Sequence, residues 1–381
     1  MDFDIPATTR KLYDDILAGV ATRLRSERPA TPGDHFRRRD WEAAARLGLT
    51  GLCVPAEYGG GDLGALDTAL CLEAFGRAST DTGLVFGVAA HLLACAVPIR
   101  DFGSAALRAE LLPGLASGEL IAANAVTERE AGSDVGHLTT TATPVAGGYV
   151  LNGHKSFVSN APLADVFVAY GVTDPDAGFL GLTGFAVPRT TPGLTVGPPM
   201  HKMGLHGCPA GEVTFTDCFV PEDRRIGGEG QGSVIFQYSM GWERGCLFGL
   251  YVGVLDGQLR RCVEHARQRR QFGRPIGGFQ AVSHKLAAMK QRLEAARLLL
   301  YRACWLVDRG GPGHVEAVAL AKVAVSEAAV ANGIDAIQVF GGSGVLVDTG
   351  IEQQLRDSVP STIFSGTTEL QRELVAREMG L

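Results

Sequence analysis

Residues 121–230 are built of short β-rich runs, and they lie between two blocks with helical periodicity. That order constrains the fold more than any other feature of the chain. In the first block Leu12, Ile16, Val20 and Leu24 recur every four residues and would share one helix face. Further helical stretches fit Asp67–Arg77 and Ala105–Ala116, with a loop at Pro55–Gly64. In the middle block the runs GYVLNGHKSFVSNAP, DVFVAYGV, GFLGLTGFAVP and GEVTFTDCFVP are separated by Gly, Pro, Asn and Asp. Such spacing predicts a small antiparallel barrel or sandwich. In the last block Leu286, Met289, Leu293 and Leu300 form one stripe, and the Ala-rich run Val315–Val330 suits close helix packing. The final segment, Asp335–Leu381, should open on a Gly-rich turn and end in a helix. Three units are expected, at residues 1–120, 121–230 and 231–381.

This order excludes the alternating β–α pattern of dinucleotide-binding folds. Gly59, Gly61 and Gly64 match G-x-G-x-x-G, but Pro55 disrupts a preceding strand and no βαβ pattern follows, so they read as a loop. Net charge is −6 and no Lys/Arg block stands out, which argues against nucleic acid or an anionic membrane as partner. No apolar run reaches the ~18 residues of a membrane span. The opening MDFDIPATTRK has acids and a Pro where a signal peptide has basic and then apolar residues. The eight cysteines are scattered, form no C-x-x-C pair, and read as reduced and mostly buried. A cytoplasmic protein with no metal site is expected.

Four segments carry chemistry: AVTEREAGSDV (Ala125–Val135), GHKSFVSNA (Gly153–Ala161), HARQRRQFGRPIGGFQAV (His265–Val282), and IQVFGGSGV (Ile337–Val345) continuing through LRDSVPSTIFSGTTELQRELVARE. In this order, on this layout, they resemble the acyl-CoA dehydrogenase family over essentially the whole chain. The resemblance implies an α+β fold: an N-terminal helical domain, a central β-barrel or sandwich, and a C-terminal four-helix bundle. It also implies FAD. A flavin ring needs hydrogen-bond donors around its polar edge and an apolar wall. By resemblance Val126, Thr127, Gly132, Ser133, Phe157 and Ser159 line it, although Arg129 and Glu130 stand where the family usually has Pro and Gly. Arg269, Gln271 and Phe272, and then Gln338, Gly341 and Gly342, resemble segments that reach the cofactor of a neighbouring subunit. On its own Arg269 would read as a solvated charge at a helix end. Thr367 and Glu369 are also placed at the cofactor. At least a dimer is implied, a homodimer or homotetramer.

The base departs from the usual pattern. Most of the family places a Glu just before the Gly-Thr of the C-terminal motif, and here Ser365 stands there. Serine alone is no general base at neutral pH. A minority of the family, including the isovaleryl-CoA type, carries the base on an earlier helix, and Glu243 in SMGWERGCLFG matches that position. From pattern alone Glu243 reads as a surface acid paired with Arg244 or capping a helix; the resemblance makes it the base, with Glu369 in reserve. SMGWER, TIFSGT, AHLLACAVPI and HKSFVSNAPLAD resemble the branch that oxidises a prolyl group held as a thioester on a peptidyl carrier protein. A carrier protein presenting a pantetheine arm is then the partner, and Arg or Lys near the entrance would suit it. Oxygen or an electron-transfer protein would reoxidise the flavin. The alternatives are a dehydrogenase for short branched or cyclic acyl-CoA esters, and a flavin-binding homologue without activity.

Overall fold

The computed structural model describes residues 5–24, 36–310 and 313–381; the first four residues of the opening segment lie outside it. The N-terminal helices are α1 (Ala7–Arg23), α2 (Arg38–Arg46), α3 (Ala65–Ala78), α4 (Thr82–His91), α5 (Val97–Phe102) and α6 (Ala105–Ser117). The link from α4 to α5 is a π-helical turn, Leu92–Ala96. Ile16 and Val20 of the four-residue repeat are buried, with Leu24 buried just beyond the helix. Gly59–Gly64 lies in the connection leading to α3, whose first amides at Ala65 and Leu66 are capped by the Asp308 carboxylate from a distant helix.

The middle block forms one eight-stranded sheet: β1 (Ala122–Ala125), β2 (Thr141–Val145), β3 (Gly148–Ser159), β4 (Val166–Val172), β5 (Leu182–Pro188), β6 (Leu194–Val196), β7 (Ala210–Pro221) and β8 (Arg225–Ile226). Its path is β6-β7-β3-β2-β4-β5-β8. The expected all-antiparallel pairing needs correcting. β1 runs parallel to β4, and β2 meets β4 parallel at Thr141–Val172. Both changes follow from the chain entering the sheet beside a strand that lies far ahead in sequence.

The last block contains α7 (Gly232–Trp242), a second π-helical turn at Glu243–Leu247, α8 (Gly249–Gln268), the hairpin β9 (Arg270–Gln271) and β10 (Arg274–Pro275), α9 (Gln280–Arg309), α10 (His314–Phe340), α11 (Ile351–Ser358) and α12 (Thr368–Glu378). The Gly-rich turn begins at Gly341 rather than at Asp335, because the Ala-rich helix runs on to Phe340. Met289, Leu293 and Leu300 of the stripe are buried. Two helical stretches, Thr82–Phe102 and His314–Val345, are long and apolar enough to cross a membrane, contrary to the reading of the runs; 94% and 61% of their apolar windows are buried inside the protein.

The described residues form two hydrophobic cores. One lies within the sheet, around Phe167, Phe185 and Phe215. The other is shared by the N- and C-terminal helices. α3 and α8 touch backbone to backbone: a Cβ on Gly249 would sit 2.3 Å from the Ala69 carbonyl oxygen, and one on Gly253 2.1 Å from that of Glu73. Around this contact the Glu73 carboxylate accepts from Arg297 at 3.0 Å and from Tyr301 at 2.7 Å, and Arg77 pairs with Asp256 at 2.9 Å. The fold class is thus α+β, with a helical C-terminal bundle.

His91 joins α4 to the sheet. Its Nε2 donates to the Leu115 carbonyl at 3.1 Å, and its Nδ1 accepts from the Ala122 amide at 3.0 Å, which requires the neutral ring. Burial pushes its pKa down to about 4. The neutral ring therefore contributes fully above the unfolded value near 6.5, and the contribution is lost as pH falls toward 4. A shift of this size corresponds to about 3 kcal/mol. We expect the denaturant midpoint of the wild type to fall between pH 7 and pH 5, and His91→Gln to show a flatter dependence; equal slopes in the two proteins would contradict this role.

Candidate active site

The site forms where the second π-helical turn meets the loop before α12. A π turn inserts one extra residue into an α-helix, and here that residue run starts with Glu243, which is 8% exposed. The surface reading of Glu243 does not hold: Cys95, Tyr170 and Ser365 surround its side of the core. Burial raises its pKa above the ordinary carboxylate value, while a hydrogen bond from Ser365 and the Arg244 charge pull it back.

Ser365 adopts φ 55° and Gly366 φ 92°. In this left-handed pair the Ser365 hydroxyl donates to Glu243 Oε1. The Ser365 carbonyl accepts from Arg244 Nε at 2.7 Å and from Gln371 Nε2 at 3.4 Å. Phe364 packs against Phe86 and Phe248, with centroids at 4.7 and 5.7 Å. Where sequence reasoning saw only a missing carboxylate, this loop supplies a hydrogen-bond donor to Glu243. Thr367 caps α12 by accepting from the Leu370 amide at 3.3 Å. Glu369 is exposed in the first turn of α12, with its carboxyl held low by its own backbone amide and by Thr367. It does not join Glu243.

The segments expected to line a flavin come together where the loop after β1 meets β3. The Ser156 amide donates to the Thr127 carbonyl at 2.8 Å. Between them lies a residue that sequence reasoning missed. The Glu128 carboxylate, 5% exposed, accepts from the amides and hydroxyls of Thr139 and Thr140 and from Lys155 Nζ at 2.9 Å. Burial alone would raise its pKa; Lys155 and the threonine hydroxyls outweigh it and hold the carboxyl down at about 2. Backbone bonds between Glu128 and Ala131 in both directions, at 3.1 and 3.2 Å, shape the turn that carries Arg129 and Glu130. Phe157 stands at φ 57° with 65% of its surface exposed, and Ser159 follows at the end of β3. Gly132 and Ser133 are exposed in the adjoining loop.

Val126 and Ser133 line a cavity of about 180 Å³ together with Asp134, Phe179, Tyr170 and Phe236. Tyr170 is buried, and its pKa is raised chiefly by burial, with the Glu243 charge adding to the rise and Ser239 opposing it. Tyr170, which lines the cavity, thus links its wall electrostatically to Glu243, which does not line it. Among the described residues the cavity lining has no Arg or Lys, and Asp134 is the one charged side chain.

The remaining candidates lie on the surface at the far ends of α8 and α10. Arg269 ends α8, and Phe272, 93% exposed, forms the tip of the β9–β10 hairpin with Gln271. Gln338 is exposed near the end of α10, followed by Gly341 and Gly342. The two regions meet through His265, whose ring stacks on Phe340 at 4.2 Å. All eight cysteines are free and buried.

Family models agree with this arrangement. The N-terminal, middle and C-terminal domains of acyl-CoA dehydrogenase match residues 4–119, 123–218 and 230–380. An L-prolyl-[peptidyl-carrier protein] dehydrogenase of Pseudomonas fluorescens is 52% identical over the full length of both chains. Among solved structures, the FAD complex of PigA superposes with a TM-score of 0.97 at 45% identity, covering 100% of each chain. The prolyl acyl carrier protein oxidase AnaB gives 0.96 at 36%, covering 99% of this chain and 100% of its own. With three domain matches in order and a relative this similar end to end, the chain belongs to the acyl-CoA dehydrogenase family.

Proposed function

We propose that this chain is an FAD-dependent dehydrogenase that oxidises an L-prolyl group, held as a thioester on a peptidyl carrier protein, to the pyrrole-2-carboxyl thioester. The observation that carries the reading is the buried Glu243 carboxylate, bonded by Ser365, in a chain that matches prolyl-carrier dehydrogenases over its full length.

The residues present fit a flavin. Phe157 offers an exposed aromatic face, Thr127 and Ser159 supply hydroxyls, and the buried Ser156 hydroxyl beside them has no partner. Val126, Gly132 and Ser133 would complete that wall, with Thr367 and Glu369 at the α12 end. Arg269, Gln271 and Phe272, with Gln338, Gly341 and Gly342, would serve the cofactor of a second copy, which gives the exposed Phe272 ring something to cover. When bound, FAD supplies the hydride acceptor.

The rest of the chemistry falls to the protein. Glu243 takes the proton from the carbon next to the thioester carbonyl, where the developing negative charge is delocalised. Ser365 fixes one carboxylate oxygen and leaves the other for the substrate. Tyr170, Phe236 and Leu182 form a wall that excludes water around the acyl group. Two such oxidations remove four hydrogens and, with tautomerisation, make the ring aromatic. Eight reduced, buried cysteines suit work in the cytoplasm.

Two predictions test this. Glu243→Gln should keep its flavin and lose the ability to bleach it with L-prolyl-loaded carrier protein, by a factor of about 10³ or more; a variant that still removes four hydrogens by intact-mass analysis would sink the assignment. Because the base works only when ionised, flavin reduction should fall as pH drops through a value above the ordinary 4.5 of a Glu. Removing the Ser365 donor takes away a contact that lowers this value, so Ser365→Ala should move the acid limb to higher pH, measured by stopped-flow reduction.

A further inference from the structure

The turn that carries Ser365 needs something to hold it. Ser365 stands in the left-handed region, which an L side chain enters only at a cost, and the direction of its hydroxyl toward Glu243 is set by that backbone. Two side chains grip its carbonyl: Arg244 from the π turn, and Gln371 from the first turn of α12. Gln371 is fully buried. Its Nε2 donates to the Ser365 carbonyl at 3.4 Å, while its Oε1 has no hydrogen-bond partner among the described residues. An orphaned buried acceptor destabilises a fold, and a Met or Leu of similar volume would avoid it. A buried amide with one end unsatisfied is therefore accounted for by what its other end holds. The fit around the turn is close: a Cβ on Gly366 would lie 2.5 Å from Gln371 Nε2 and 3.4 Å from Arg244 Nη2.

We propose that Gln371 is a positioning residue for the base: by holding the Ser365 carbonyl it keeps the Ser365 hydroxyl on the Glu243 carboxylate. The inference rests on the reading of Glu243 as the base. Among the described residues, the groups that act on Glu243 are Ser365, Arg244 beside it on the π turn, Cys95 on the π turn after α4, and Tyr170 on β4. Lys322, from α10, acts on Arg244 instead. Gln371 carries no charge and bonds Ser365 rather than Glu243, so its influence on the base passes through Ser365. The Ser365 bond favours the ionised carboxylate. Loosening that bond makes Glu243 harder to ionise, so activity is lost at acid pH and returns as pH rises.

The test is stopped-flow flavin reduction of the holoenzyme across pH, with the thioester that the wild type accepts, L-prolyl-loaded carrier protein first. It compares the wild type with Gln371→Met, Gln371→Asn, Ser365→Ala and the double variant Ser365→Ala/Gln371→Met. Met removes the donor at nearly constant volume. Asn keeps a polar group but falls one methylene short, and it serves where the Met variant fails to fold. Each Gln371 variant should move the acid limb to higher pH and lower the rate on the acid side roughly threefold to tenfold. The difference should narrow on the alkaline plateau, and the double variant should coincide with Ser365→Ala alone. A wild-type acid limb in the Gln371 variants, an equal loss at every pH, or a double variant shifted by the sum of the two would overturn the proposal. A Glu243→Gln protein that reduces its flavin at the wild-type rate would instead remove the base on which the proposal rests.

Discussion

A carboxylate sunk into a helical core is the feature on which the remainder depends. Taking Glu243 out of water disfavours its charged form, and among the described residues nothing forms a full ion pair with it. The Ser365 hydroxyl and the nearby Arg244 guanidinium offset part of that cost. A cation bonded directly to the carboxylate would compensate it more completely and hold it more firmly ionised. Arg244 spends its own hydrogen bond on the Ser365 carbonyl. It thereby fixes the loop before α12 rather than neutralising its neighbour in sequence.

The helical framework makes that burial possible. N-terminal and C-terminal helices form one core, so α3, α4 and the π turn after it close over α7 and α8. The contact at Gly249 and Gly253 brings α8 against α3 at backbone distance, and the buried network of Glu73, Arg297 and Tyr301 ties α9 to the same place. The sheet has its own core and meets this framework through His91 and β1. The Glu128–Lys155 pair then locks the loop that carries Thr127 to the strand that carries Phe157.

Much of this was legible in the sequence. A four-residue repeat found α1, and the stripe Leu286, Met289, Leu293 and Leu300 found α9, because each helix buries one face. The β-rich runs found β3, β4, β5 and β7 because their turns carry Gly, Pro and Asn. The parallel pairings were not legible, since neighbours in a sheet need not be neighbours in the chain. Neither was the shared helical core: α4 and the segment after it are apolar all round and carry no periodic signal. At the site, motif resemblance pointed to Glu243, but pattern favoured the surface, because a single acid beside an Arg looks solvated until its neighbours fold over it. Ser365 as a donor, Glu128 as a clamp and Tyr170 as a wall depend on contacts across tens to hundreds of residues.

The π turn at Glu243–Leu247 also sets a phase relation. Each residue of an α-helix turns the next by about 100°, and the extra residue rotates everything after it by about that angle relative to α7. Before the turn, Ser233, Phe236 and Gln237 face the cavity; after it, Gly249 and Gly253 face α3. An unbroken helix through this segment could satisfy one of those orientations and not the other. The irregularity therefore acts as a joint, letting one rod present its first half to chemistry and its second half to packing.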